Sequence, residues 1–130
     1  MANMIIGIGV DIIEIQRIKE AVEKNSAFIE KVFAENEIDY LKSRNFRAEY
    51  VAGRFAAKEA IAKALGTGFR EFSFEDIEID RNTMGKPLVI LKGKAKKIAK
   101  KLCNGDYKMH LSISHSKEAA IAYAVLENGL

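Results

Sequence analysis

The stretch GRFAAKEAIAKALGTG, residues 53–68, decides how the rest of the 130-residue chain is read. Its apolar residues recur at helical spacing, and Gly66 and Gly68 close it as glycines close helices. A helix starting near Ala48 and stopped by those glycines is predicted, the longest in the chain. Arg54, Lys58, Glu59 and Lys63 are crowded into about three turns of it. Phe55, Ala56, Ala60, Ile61, Ala62 and Ala64 leave little width for a polar face, which sets Glu59 at the border of the buried stripe. The small neighbours are expected to let a bulky ligand approach the helix.

Upstream, residues 5–11 read as a short buried strand ending in Asp11, with glycines at 7 and 9. Ile15, Ile18 and Val22 give a helical stripe over residues 14–22. Asn25 and Ser26 break the chain and cap a second short helix carrying Phe28, Ile29, Val32 and Phe33. ENEIDYLKS, residues 35–43, reads as a third. Downstream, Ile77 and Ile79 alternate with acids, the chain turns at residues 82–85, and a strand resumes after Pro87, which makes a hairpin. KGKAKKIAKKLC, residues 92–103, is a basic helix with a thin apolar face. KMHLSISHS (108–116) and AAIAYAVLE (119–127) are two further strands, antiparallel across a turn near residues 116–118. No repeat or linker interrupts the pattern, so residues 1–130 are expected to form one α+β domain, helices packed against a mostly antiparallel sheet.

Hydrophobic content of 48% and charged content of 30% describe an ordinary globular chain with one core. The formal charge of +3 suits an anionic ligand or an acidic partner. Aromatic residues make up only 8% and Trp is absent, which argues against a platform for stacking bases. The lysine-rich helix reads as a solvated face, and no nucleic-acid partner is expected. Cys103 is the only cysteine, which excludes an intramolecular disulfide and a thiolate metal cluster. No apolar run approaches the roughly 20 residues of a membrane span, so no membrane partner is expected either. The first residues lack the basic region and cleavage site of a signal peptide, and a cytoplasmic location is expected. Met4 is a candidate start, which would make residues 1–3 an extension. GIG at 7–9 lacks the third glycine of a dinucleotide fingerprint.

The charged groups each admit two readings. Asp11 is either the cap of the following helix or a rigidly aimed metal ligand. Glu59 either pairs with Lys63 at i, i+4 on a solvated face or holds a cation. Two carboxylates from separate elements, completed by water, suit Mg²⁺, which shares itself with substrate phosphates. Arg54, Lys58 and Lys63 would then neutralise those phosphates. Leu111, Ile113 and His115 share one parity of their strand, and His115 is either a hydrogen-bonded strand end or a phosphate ligand. The segment 84–87 is a hairpin turn that could also lie along a flat ligand.

In this order the pieces closely resemble the holo-[acyl-carrier-protein] synthases, small bacterial 4'-phosphopantetheinyl transferases. GIGVDIIEIQRI (7–18) resembles the first family motif, and FAAKEAIAKALGTG (55–68) the second, which is highly specific. DIEI at 76–79 with GKP at 85–87, and SISHS at 112–116, complete the set. The resemblance covers essentially the whole chain from Met4 onward. It implies the 4'-phosphopantetheinyl transferase fold and a transfer of the phosphopantetheine arm of coenzyme A to a serine of apo acyl carrier protein. Adenosine 3',5'-bisphosphate would be released, in the service of fatty acid biosynthesis. It further implies Asp11 and Glu59 as Mg²⁺ ligands, with Lys63 on the pyrophosphate completing the catalytic set. Arg54 and His115 would hold the 3'-phosphate, and the turn Gly85, Lys86, Pro87 would follow the adenine. Arg17 matches the basic docking position for the acidic carrier protein, Lys24 and Lys31 extend that stripe, and Phe28 is an apolar anchor. Ala27 replaces a residue that is basic in some relatives, and Met84 stands where many have Asn. Family members of this length are trimers with each site at a subunit boundary. Two other readings stand beside the transferase: a basic module that grips a polyanion without catalysis, and a metal-dependent phosphohydrolase using the same residues.

Overall fold

Residues 3–129 are described by the computed structural model; residues 1, 2 and 130 lie outside that range, the first two being part of the extension that a start at Met4 would imply. The chain runs β1 (Ile5–Glu14), α1 (Ile15–Lys24), α2 (Phe28–Val32), α3 (Glu35–Ser43), α4 (Ala48–Ala64), β2 (Ile77–Arg81), β3 (Pro87–Leu91), α5 (Gly93–Cys103), β4 (Tyr107–His115) and β5 (Ala119–Asn128). Two short 3-10 turns, Gly68–Arg70 and Phe74–Asp76, link α4 to β2. Three strands form one sheet in the order β1-β5-β4, and β2 with β3 forms a second. Every strand pair is antiparallel, as the α+β expectation requires.

The helix predicted from residues 53–68 is the centre of the molecule. Eleven of the 17 residues of α4 are buried, because a helix that is apolar nearly all round must be covered nearly all round. Its alanines are spent on that covering rather than on ligand access, which corrects the expectation drawn from them. Ala56, Ala57, Ala60 and Ala62 are fully buried, and Ala120, Ala122 and Ala124 of β5 face them fully buried as well. A Cβ on Gly9 would stand 1.9 Å from the Ala60 carbonyl oxygen, and one on Gly7 would stand 2.0 Å from that of Ala64. Glycine on the strand and alanine on the helix together allow backbone to approach backbone. The N-terminal half of α4 is closed by α1–α3 through Ile18, Val32, Phe33 and Leu41, which pack with Val51 and Ala52.

β1 is longer than the sequence reading made it. Pairing with β5 continues through Asp11 opposite Ala122 to Glu14 opposite Ala119. Asp11 is therefore a mid-strand residue and not a helix cap; Glu14 takes the cap position of α1 without a capping bond from its side chain. The unbroken ladder wins because each further pair satisfies backbone groups that a cap would leave to water. The Asn25 side chain accepts the Ala27 N–H at 3.0 Å, a local turn that opens α2. In the β2–β3 turn the Asn82 side chain accepts the N–H groups of Met84 and Lys86 at 2.9 and 3.0 Å. Gly85 there has φ of +87°, which only glycine adopts freely.

The sheet face turned away from α4 is apolar and uncovered. Ile8, Val10 and Ile12 of β1 and Ile121 and Tyr123 of β5 lie on it, each between 40% and 67% exposed. Among the described residues no helix is long and apolar enough to cross a membrane.

Candidate active site

Strand parity turns Asp11 to the α4 side of β1, the side of Gly7 and Gly9. There Asp11 and Glu59 line one depression of about 360 Å³, together with Arg17 and Phe28. Burial pushes the Glu59 carboxyl above its usual range, the nearby Asp11 charge pushes the same way, and Lys63 opposes them. A half-buried carboxylate raised by a second one is a place where a divalent cation is welcome. Among the described residues no group of three or more His, Cys, Asp or Glu converges. The protein thus offers two oxygen donors, which fits a cation that keeps water and shares substrate phosphates, and does not fit a closed structural metal site.

Lys63 does not form the surface pair with Glu59. Its ammonium donates to the Val10 carbonyl at 2.9 Å and to Asp11 Oδ1 at 3.3 Å, so the cation is tied to the strand that carries the acid. It remains half-exposed and accessible.

Lys58 belongs elsewhere, contrary to its expected place among the phosphate-neutralising cations. Its side chain is fully enclosed, and Nζ donates to Glu37 Oε1 at 2.7 Å, the Val32 carbonyl at 2.8 Å and the Phe74 carbonyl at 3.1 Å. Three donors with three acceptors leave nothing for a ligand. Glu37 was missed as the partner. It also accepts the N–H groups of Ala34 and Ile79, at 2.8 and 3.0 Å. The available signal was its position one turn before Leu41, on the apolar side of α3.

A second depression, about 180 Å³, brings together Arg54, His115, Gly85 and Pro87 with Tyr50. These residues come from α4, β4 and the β2–β3 turn, elements far apart in sequence. His115 packs its ring against Tyr50 in a T-shaped contact, centroids 6.1 Å apart. Arg54 is 9% exposed and, among the described residues, forms no ion pair. Burial depresses its pKa; Tyr40 and Glu37 oppose that, while the neighbouring cations Arg81 and Arg44 add to it. A mostly buried cation with no carboxylate in ion-pair contact is expensive until an anion arrives. Lys86 is not gathered into this depression; it is exposed and lines the neighbouring groove between β3 and β4.

The two depressions share no residue. Arg54 and Glu59 are five positions apart on α4, roughly 140° around its axis, so they look out on different sides. Of the basic stripe, Arg17 reaches the acid-pair depression, whereas exposed Lys24 on α1 and Lys31 on α2 lie outside it. Phe28 is half-buried against Phe55, ring centroids 5.8 Å apart.

Paired carboxylates with an accessible lysine thus line one side of α4, and a separate pocket holds an arginine outside any ion pair. The chain belongs to the 4'-phosphopantetheinyl transferase superfamily, whose sequence pattern matches residues 7–124, and is an enzyme of that family. It is 64% identical over 124 residues to the holo-[acyl-carrier-protein] synthase of Clostridium kluyveri, covering 95% of this chain and 91% of that one. The crystal structure of the holo-ACP-synthase from Plasmodium yoelii matches it with a TM-score of 0.85 at 41% identity, over the full length of both chains. The holo-(acyl-carrier-protein) synthase of Bacillus anthracis, solved in complex with CoA (3',5'-ADP), matches with a TM-score of 0.79 at 45% identity, covering 97% of this chain and 99% of that one.

Proposed function

We propose that this enzyme transfers the 4'-phosphopantetheine group of coenzyme A to a serine of apo acyl carrier protein, with Mg²⁺, and releases adenosine 3',5'-bisphosphate. The observation that carries the reading is the acid pair: Asp11, held mid-strand, and Glu59, held on α4, line one depression. Bound there, Mg²⁺ supplies charge neutralisation of the diphosphate, the main need of phosphoryl-type transfer. Asp11 and Glu59 are its ligands. Lys63, fixed by the Val10 carbonyl, presents a second cation where the leaving phosphate gains charge. Arg54 and His115 hold the 3'-phosphate, and Gly85 and Pro87 lie along the adenine, with the exposed Lys86 side chain directed to the neighbouring groove. The serine Oγ–P bond forms as the P–O bond to the adenosine bisphosphate breaks; the bisphosphate leaves with the bridging oxygen, and the serine hydroxyl proton passes to water. Binding at both ends holds the diphosphate still for that displacement.

The split between the two depressions bears on assembly. One chain turns its acid pair and its Arg54 pocket to different sides of α4, and its sheet face is apolar and uncovered. We read the enzyme as a trimer in which the acid pair of one subunit and the Arg54 pocket of its neighbour share one coenzyme A. Arg17, Lys24, Lys31 and Phe28 form the docking surface for the acidic carrier protein. The reading places the enzyme in fatty acid biosynthesis in the cytoplasm.

The deciding experiment incubates the protein with coenzyme A, Mg²⁺ and apo carrier protein and weighs the carrier by mass spectrometry. One added phosphopantetheine group per carrier, lost when Mg²⁺ is chelated, is the expected result. Cleavage of coenzyme A without carrier would instead establish a phosphohydrolase. An unmodified carrier with tight nucleic-acid binding at physiological salt would establish a polyanion-binding module.

A further inference from the structure

The Arg54 pocket has a wall that none of the sequence motifs includes. Tyr40, on α3, presents its ring to two guanidinium groups: Arg54 Cζ and Arg81 Cζ each lie 4.3 Å from the ring centroid. Arg44 approaches the same ring at 5.6 Å and the Tyr50 ring at 5.5 Å. Tyr40 and Tyr50 meet edge to face, centroids 6.4 Å apart, and Tyr50 in turn carries His115. Three elements thus deliver three arginines to a pair of tyrosines that ends at the histidine.

Such a cluster has a bland explanation, an arginine stack neutralised by acids on the surface. The contacts do not support it. Asp39 and Asp80 line the same hollow as Tyr40, Arg54 and Arg81, about 430 Å³ in volume. Asp80 accepts only the backbone N–H of Arg81, at 2.8 Å, and among the described residues the guanidinium groups of Arg44, Arg54 and Arg81 form no ion pair. Glu49 also lines the Arg54 pocket, but its ion pair is with Arg47, so three like charges near one ring, none in ion-pair contact with a carboxylate, gather positive potential at the mouth of that pocket. A ring face holds a guanidinium by cation–π attraction while leaving all five N–H donors free for an anion. A carboxylate partner would occupy those donors. The arrangement is therefore built to aim arginines, and the anion it suits is a doubly charged phosphate monoester.

We propose that Tyr40 is a positioning residue that holds Arg54 and Arg81 for the 3'-phosphate of coenzyme A, and that this clamp makes the enzyme prefer coenzyme A to its 3'-dephospho form. The proposal rests on the placement of the 3'-phosphate at Arg54 given above. It adds Arg81 as a second guanidinium on that phosphate and assigns Tyr40 a role without any contact to the reacting atoms.

The test measures kcat/KM for coenzyme A and for 3'-dephospho-coenzyme A, at fixed Mg²⁺ and carrier protein, in four variants. Arg54→Gln is the reference and should lower kcat/KM for coenzyme A by about tenfold or more, since a charge-assisted hydrogen bond is lost. Tyr40→Leu should produce a comparable loss, carried by KM, and leave the dephospho substrate within about twofold. Tyr40→Phe keeps the ring and should restore the preference. Arg81→Gln, at an exposed strand position, should lower kcat/KM for coenzyme A by about threefold to tenfold; it decides the matter should Tyr40→Leu fold poorly. The clamp is refuted if Arg54→Gln erases the preference while Tyr40→Leu and Arg81→Gln preserve it or depress both substrates alike. If Arg54→Gln itself leaves the preference intact, the underlying placement of the 3'-phosphate is wrong, and the clamp falls with it.

Discussion

Lys58 and Glu37 form a fully enclosed ion pair, Nζ to Oε1 2.7 Å, at the junction of α3, α4 and the 3-10 turn before β2. Burial drives the Lys58 pKa down and the Glu37 carboxylate opposes the drop. Removing one partner strands the other charge in the core, at a cost of about 3–5 kcal/mol. Lys58→Met should therefore lower the unfolding free energy by that amount in urea titrations. Coenzyme A affinity of the folded variant should stay near that of the parent, because Lys58 reaches neither depression. Weakened coenzyme A binding at undiminished stability would return Lys58 to the phosphate-binding set.

On the proposed function, the acid pair should set a pH and metal dependence. The folded pKa of Glu59 is raised, so between its ordinary value and the raised one the native state binds more protons than the unfolded chain. Metal-free stability then falls as pH rises through that window. Mg²⁺ needs both carboxylates ionised, so the melting-temperature gain from Mg²⁺ and coenzyme A should grow over the same window. Glu59→Gln removes the buried charge. Its metal-free melting temperature should equal or exceed that of the parent, with the downward slope flattened, while transfer activity falls at least about a hundredfold. A variant that melts several degrees lower without ligand would make Glu59 a structural residue.

Much of this was legible in the sequence, and the misses have physical causes. The extent of α4, the hairpin and the strands on either side of residues 116–118 follow from periodicity and turn residues, and the structure bears them out. Sequence alone ends the strand at Asp11 because the following helix begins so close by; only pairing with β5, more than a hundred residues away, carries β1 on to Glu14. The alanines of α4 suggest space for a ligand because sequence shows which residues are small but not what fills the gap. Gly7 and Gly9 fill it. Proximity along one helix groups Lys58 with Arg54 and Lys63, whereas its direction is fixed by a carboxylate on α3. Only the family resemblance ties Arg54, Gly85, Pro87 and His115 together in the sequence, and the fold brings them to one depression.

Docking and chemistry can be separated on the basic stripe. Arg17 lines the acid-pair depression, but Lys24 and Lys31 do not. Replacing both by Glu should raise KM for the carrier protein about threefold to tenfold, more at low salt than at high, because exposed charges steer association and are screened. KM for coenzyme A should not change. A parallel rise for both substrates, or a carrier KM insensitive to salt, would remove Lys24 and Lys31 from the docking surface.

The uncovered sheet face tests the assembly. Val10 and Tyr123 lie opposite each other on β1 and β5 and point away from α4, 43% and 47% exposed. Arginine at either position touches no core residue, so the monomer fold should survive, with an unchanged circular dichroism spectrum. In an assembly that buries this face, two extra charges per contact would have no partner, a penalty of several kcal/mol. The parent chain should elute as three subunits in light scattering, and Val10→Arg/Tyr123→Arg as one. Transfer activity should drop by at least about a hundredfold in the monomer, because its acid pair and Arg54 pocket face different sides of α4. A folded monomeric variant that transfers phosphopantetheine at the parental rate would show that a single chain binds coenzyme A across α4 unaided, and the shared site would have to be abandoned.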